Sequence, residues 1–385
     1  MQTLTFLTAP TIISGAGSLR QLTEIARGRD CKSVFVVTDP GIVACGYAET
    51  ARNLLRDAGL AVTMFDKVAA DPPYPTVHAA IEAARGAGAD FVVGLGGGSS
   101  IDTAKVVSVL VNSEQSLDDM IGADKVIGGR LPLIAIPTTA GTGSEVTFVS
   151  VLTNDANEKK AIYSPQLMPD VALLDPELTV GMPRHITAAT ALDAMVHAVE
   201  AYTSRTRKNP ISDALAVQAL QLLGNGLPKV LADGRDIEAR SAMLLGATMA
   251  GMAFVNASVA AVHALAYPLG ARFHIPHGHS NALVMGVVFR FNLPVAAKLY
   301  AELAPTILPG RGYNSDEAAA NAFVGKLENL AAESGLEMRL SKLGVSDDDV
   351  PGMAGEVTEK IARLIATNPR DMSFDDVCGL YRKVL

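Results

Sequence analysis

The 385-residue chain has no tryptophan, three cysteines and only 5% aromatic residues. Its core must therefore be built from small and branched side chains, and apolar residues still make up 49% of the sequence. That balance suits closely packed helices and α/β layers. The cysteines (Cys31, Cys45 and Cys378) are scattered, odd in number and without C-x-x-C spacing. They read as free thiols in a reducing compartment, which excludes a disulfide framework. Blocks of basic residues are also missing, and the net charge is −8. Neither a nucleic acid nor an anionic membrane is expected as a partner. The opening stretch MQTLTFLTAPTIISG lacks a basic segment followed by an apolar one, so no signal peptide is expected. Apolar runs are interrupted by Gly, Asp or His before they reach membrane-spanning length. The expected setting is cytoplasmic, and the length suggests two domains, each with a substantial core.

What the sequence does contain changes character near Pro183. Before it, apolar strand-like runs alternate with helical ones. SVFVVTD (33–39) and AVTMFDKV (61–68) read as strands, with helices over 41–59 and 76–89; 90–112 reads as a strand, a Gly-rich turn and a helix, and 131–147 as a further strand and a Gly/Thr loop. Residues 5–14 add one or two short strands, and a helix is expected from about Ser18 to Ala26. This alternation predicts a parallel, Rossmann-like sheet over residues 1–183. After Pro183 strand-like runs nearly vanish. Ala/Leu/Met-rich segments over 187–203, 210–232, 236–255, 258–270, 280–292, 294–305 and 315–334 predict an all-helical domain over 184–385, punctuated by Pro210, Pro276 and Pro294.

The helical half carries an unusual concentration of ligand-type side chains. Asp193 and His197 in LDAMVHAVE are four residues apart, with no Gly or Pro between, so on a helix they share a face. His263 lies in AVHALAYPLG, and His277 in HIPHGHSN. One carboxylate and three imidazoles suit a divalent cation of borderline softness, Fe(II) or Zn(II). A lone D-x-x-x-H pair is ordinarily structural. Here four of the seven histidines fall between residues 263 and 279, which favours a metal site.

The α/β half carries two glycine-bearing loops. GLGGGSSIDTAK (94–105) follows a buried strand and opens a helix. Three successive glycines let backbone approach a phosphate closely, at the positive end of the following helix. The alternative is a tight turn with no ligand. The loop matches neither G-x-G-x-x-G nor G-x-x-x-x-G-K-[ST], so a P-loop NTPase is excluded. TTAGTGSEVT (138–147) offers hydroxyls and amides at another strand's carboxyl end, where open α/β sheets bind ligands. Asp39, ending SVFVVTD, could accept from an adenosine ribose and repel a 2′-phosphate, favouring NAD over NADP; it could equally cap the next helix. A cleft between the two halves is expected to hold both sites.

Taken together, VVTD, GGGSSIDTAK, PTTAGTGSEVT, LDAMVHAVEAY, AVHALAYPLG and PHGHSNA resemble the iron-containing (group III) alcohol dehydrogenases, in the order found in that family and over essentially the whole chain. The resemblance implies an NAD-dependent oxidoreductase that interconverts a small alcohol and its aldehyde or ketone, and a homodimer or higher homo-oligomer. It implies metal ligands at Asp193, His197, His263 and His277. It implies cofactor contacts at Asp39, Gly96, Gly97, Gly98, Ser99, Asp102, Thr138, Thr139, Thr142, Lys160 and Leu178, and a substrate-pocket position at Phe254. The chain departs from the family at Tyr267, where many members carry a second histidine assigned to proton transfer. Tyrosine can relay a proton but is far less basic than histidine. The expected catalytic groups are thus His277 at the metal and Tyr267 in the relay, with His274 either supplying the lost imidazole or acting as an ordinary surface residue. Tyr267 also keeps open a hydroxyacid dehydrogenase or hydroxyacid–oxoacid transhydrogenase, with Arg272 or His274 meeting the substrate carboxylate. A non-catalytic scaffold is the reading from a different class, disfavoured by the intact ligand set.

Overall fold

A computed structural model describes residues 3–385. The chain divides into two compact units, one spanning Leu7–Met182 and the other Pro183–Leu385 with the N-terminal segment through Phe6.

The first unit is built on nine strands: β1 (Thr11–Ser14), β2 (Ser33–Val37), β3 (Ala61–Phe65), β4 (Phe91–Gly96), β5 (Gly122–Ala123), β6 (Leu133–Pro137), β7 (Val149–Thr153), β8 (Lys159–Tyr163) and β9 (Val171–Leu174). Six form one sheet in the order β1-β9-β6-β4-β2-β3, with every pairing parallel. The near-continuous apolar runs of β2, β4 and β6 are the reason they lie at its centre, since a parallel strand covered on both faces has no polar side to show. Val34 and Val36 pack into the core on one face; Phe35 and Val37 pack into the other. Six helices accompany the strands: α1 (Leu22–Arg27), α2 (Pro40–Ala44), α3 (Tyr47–Asp57), α4 (Tyr74–Gly86), α5 (Gly98–Leu110) and α6 (Leu117–Met120). From β2 the chain moves outward to β3, then returns to lay β4 on the other side of β2. Strand order therefore reverses at the β2–β4 pair, and a crevice opens at their carboxyl ends. Asp39 follows β2, and the glycine run follows β4, so the topology brings these two sequence signals together.

Several local expectations change. Only Thr11–Ser14 of residues 5–14 is a strand. The helix expected over 41–59 is two, broken at Gly46, whose φ of 78° is a left-handed conformation glycine adopts without penalty. A second sheet, β5-β8-β7 with β7 and β8 antiparallel, was not anticipated. Its strands alternate only weakly between apolar and polar residues, so the period-2 signal is faint.

The second unit is helical: α7 (Arg184–Thr203), α8 (Pro210–Ala232), α9 (Ile237–Ala257), α10 (Ala261–Phe273), α11 (His277–Ile307), α12 (Asp316–Glu333), α13 (Val350–Glu359), α14 (Ala362–Ile365) and α15 (Phe374–Lys383). Buried around most of its circumference, α7 packs against α8, α9 and α11. A helix apolar on all sides belongs inside its unit, and α7 carries Asp193 and His197 there. The segments 280–292 and 294–305 are one helix, because α11 runs through Pro294. Packing against α7, α10 and α12 outweighs the roughly 3 kcal/mol that an interior proline costs. By length and composition alone α11 could cross a bilayer, but it buries Ser280, Asn281 and Asn292 among the other helices.

Candidate metal centre and phosphate-binding loops

Asp193 and His197 stand one turn apart on α7, His263 is in the first turn of α10, and His277 is the first residue of α11. Gly278 makes the last placement possible: a Cβ there would meet the Ala189 carbonyl oxygen of α7 at 2.5 Å. The four side chains converge. One ligand atom from each lies within 4.8 Å of all the others. The Nε2 atoms of His197, His263 and His277 are 3.8, 3.6 and 3.8 Å from Asp193 Oδ1. Metal–ligand bonds of about 2.1 Å in a tetrahedron separate ligands by about 3.4 Å, and the three imidazole–carboxylate separations exceed that by only a few tenths of an ångström. The donor set therefore fits a divalent cation. Asp193, His197 and His263 are buried, whereas the His277 side chain is 30% exposed, which leaves the cluster accessible on that side. Burial opposes the Asp193 charge, but the three imidazoles and the Asn281 amide outweigh it and hold the carboxyl pKa below its usual value.

Two further residues belong to this centre. Glu200 accepts from the backbone N–H groups of Ala260 (2.8 Å) and Val262 (2.7 Å) and lies 2.6 Å from His263 Nδ1. Asn281 donates from Nδ2 to Asp193 Oδ1 at 2.6 Å. Sequence reasoning missed both, though their spacing was informative. Asp193, His197 and Glu200 fall at i, i+4 and i+7, and His277 and Asn281 at i and i+4, each set on one helix face. Phe254 stacks on the His197 ring, with centroids 4.3 Å apart. Tyr267 lies beside His277, with centroids 5.8 Å apart. His274 is exposed and forms the left-handed end of α10, with φ 55°. Arg272 is paired with Glu356 at 2.8 Å.

In the first unit, α5 begins at Gly98, and its first-turn N–H groups have no helical acceptors. Gly96 holds φ at 152°, and a Cβ on it would stand 2.6 Å from Ser100 Oγ and 2.9 Å from Asp39 Oδ2. Asp39 does cap α2, its Oδ1 accepting from Gly41 and Ile42, while Oδ2 accepts from Ser100 Oγ at 3.1 Å. The cap thus leaves the carboxylate beside the glycine loop. Ser99 Oγ accepts from the Asp71 N–H. The second loop packs on the first: a Cβ on Gly97 would meet Thr139, and one on Gly98 would meet Thr142. Thr138 N–H donates to the Gly96 carbonyl. Asp102 accepts from Ser144 Oγ (2.5 Å) and Val151 N–H (2.8 Å), which ties α5 to the second loop and to β7. Lys105, not singled out in the sequence, completes the tie. Fully buried, it donates to Ser144 Oγ, Thr147 Oγ1 and the Val149 carbonyl. Desolvation pushes its pKa down to about 8, against the pull of Asp102 and Glu145. Leu178 is buried in a short 3-10 turn, and Lys160 on β8 pairs with Glu158.

The profile of the iron-containing alcohol dehydrogenases matches residues 9–176, and that of the C-terminal part of the same family matches 187–385. The chain belongs to the iron-containing alcohol dehydrogenase family. As a member, it is an NAD-dependent oxidoreductase that interconverts an alcohol and its carbonyl partner. The long-chain-alcohol dehydrogenase 1 of Geobacillus thermodenitrificans is 38% identical over 370 residues, covering 95% of this chain and 93% of that protein. Among solved structures, a 1,3-propanediol oxidoreductase superposes with a TM-score of 0.95 at 32% identity over the full length of both chains. The sulfoacetaldehyde reductase of Bifidobacterium kashiwanohense, solved with NAD+, gives 0.89 at 30% identity, covering 100% of this chain and 99% of the other. The family and fold anticipated from the motifs are borne out.

Proposed function

We propose that this alcohol dehydrogenase holds one divalent cation, Fe(II) or alternatively Zn(II), through Asp193, His197, His263 and His277, binds NAD over Gly96–Ser99, and acts on small uncharged alcohols. The convergence of four ligand atoms from three helices carries this reading. A bound cation would supply Lewis-acid stabilisation of the alcohol oxygen, and NAD the hydride acceptor. The chain's own contribution is placement. Gly97, Gly98 and Ser99 offer N–H groups to the pyrophosphate, and Thr138, Thr139 and Thr142 brace them. Asp39 Oδ2 accepts from the adenosine ribose. Asp102 and Lys105 keep the two loops in fixed relation, with Lys160 and Leu178 flanking the cofactor. Phe254 bounds the substrate beside His197. At the accessible side, Tyr267 passes the alcohol proton to water. Arg272, the cation a hydroxy acid would need, is engaged by Glu356, which favours the uncharged substrate.

A panel of alcohols and hydroxy acids, assayed anaerobically on Fe(II)-loaded protein by NADH formation, tests this. Full activity after chelation would contradict it, as would a preference for 4-hydroxybutyrate over simple alcohols. For Tyr267→Phe, kcat should fall by about a hundredfold, the lower range for losing a general acid or base, with metal content unchanged; an unaltered kcat would remove Tyr267 from the relay. Asp39→Gly should move the NAD/NADP ratio of kcat/KM toward NADP by roughly tenfold, the worth of one or two hydrogen bonds. An unchanged ratio would reduce Asp39 to a helix cap.

A further inference from the structure

We propose that Glu200 is a positioning residue for His263, fixing which ring nitrogen faces the ligand cluster and thereby setting how tightly the cluster holds its cation. The proposal rests on the metal reading above. Glu200 is 2% exposed, and its known partners all come from the start of α10. Oε2 accepts from Ala260 N–H and contacts His263 Nδ1, and Oε1 accepts from Val262 N–H. Backbone N–H groups can only donate, so both carboxylate oxygens act as acceptors. At 2.6 Å from one of them, Nδ1 is then the donor, and the proton of the neutral ring sits on Nδ1. Nε2, 3.6 Å from Asp193 Oδ1, is left with its lone pair directed at the cluster. A carboxylate behind a ligating imidazole both fixes the tautomer and makes the ring a stronger donor.

The local backbone agrees with this role. Between α9 and α10 the chain bends by 104° within a few residues. Ser258 adopts φ 81° at the corner, unusual for a residue with a side chain. A turn of this kind needs an anchor, and Glu200 accepts from two of its amides, those of Ala260 and Val262. One side chain of α7 therefore sets both the start of α10 and the direction of His263. A capping role alone would affect folding stability but not the cation.

Glu200→Gln separates the two. Glutamine keeps the shape but has one acceptor oxygen, so it cannot serve all three donors. Zn(II) affinity, measured by chelator competition on the full chain, should weaken by about 10- to 100-fold, and the visible spectrum of the Co(II)-loaded protein should shift. In a His263→Ala background the same substitution should change Zn(II) affinity by less than about threefold, because the intermediary is gone. Wild-type affinity in Glu200→Gln would overturn the assignment, as would an equal loss in both backgrounds. If the wild-type protein holds no stoichiometric ion, the metal reading itself falls. Should Glu200→Gln not fold, 15N-histidine NMR of the metal-depleted wild type decides: a His263 proton on Nδ1 is expected, and one on Nε2 would overturn the proposal.

Discussion

His263→Ala should give a folded protein that retains less than about a tenth of its bound metal and loses at least roughly a thousandfold in activity. The activity estimate follows from removing several kcal/mol of charge stabilisation, each 1.36 kcal/mol being a factor of ten in rate. Three ligands would remain, but the cluster has little redundancy. His263 Nε2 is the closest of the three imidazole nitrogens to Asp193 Oδ1, and its ring stacks on His197 at 4.7 Å. The fold should survive because Glu200 still caps α10 through Ala260 and Val262. NADH binding should also survive, since the glycine loops belong to the Leu7–Met182 unit and the ligands to the other. Elemental analysis, circular dichroism and NADH fluorescence together check the expectation. Full metal content with normal activity would remove His263 from the centre.

The sequence carried much of this architecture because the strongest physical constraints leave periodic traces. The buried runs SVFVV, FVVGLG and LIAIP are short, apolar and bounded by turn residues, as central parallel strands are, and the Ala/Leu-rich segments after Pro183 are long enough to be helices. Asp193 and His197 were legible as a pair because both sit on one uninterrupted helix. The third position on the same face, Glu200, was equally available but reads as an ordinary polar residue until its partners in α10 are known. Lys105 escaped for a related reason: a lysine in a helix is normally solvated, and only tertiary packing buries it among Ser144, Thr147 and Val149. Pro294 misled, because local propensity breaks a helix that packing along α11 sustains. The hairpin β7–β8 has short strands of mixed polarity whose pairing depends on neighbours rather than on pattern. His274, weighed as a substitute for the missing imidazole, sits exposed at the end of α10, where a left-handed residue closes the helix.

Gly96→Ala should weaken NADH binding by about one to two orders of magnitude while leaving metal content intact. The substitution adds one methyl group, so the effect must come from where it points. That Cβ would stand 2.6 and 2.7 Å from Ser100 Oγ and Cβ and 2.9 Å from Asp39 Oδ2. Neither neighbour can yield cheaply. Ser100 is anchored in the first turn of α5, and Asp39 is held by the amides of Gly41 and Ile42. The backbone adds to the conflict, since φ of 152° is one that residues with a Cβ seldom adopt. The loop must therefore shift, which breaks the Ser100–Asp39 hydrogen bond and withdraws the Gly97–Ser99 amides from a pyrophosphate. Losing one hydrogen bond to a charged group, at about 1.5–3 kcal/mol, gives the stated range. Gly86→Ala serves as the control. Its Cβ would meet nothing within 4 Å at the end of α4, so NADH binding should be unchanged. Fluorescence titration of both variants reads the difference. An NADH affinity within twofold of wild type in Gly96→Ala would mean that the glycine serves only the strand–helix turn, and that the dinucleotide is held elsewhere.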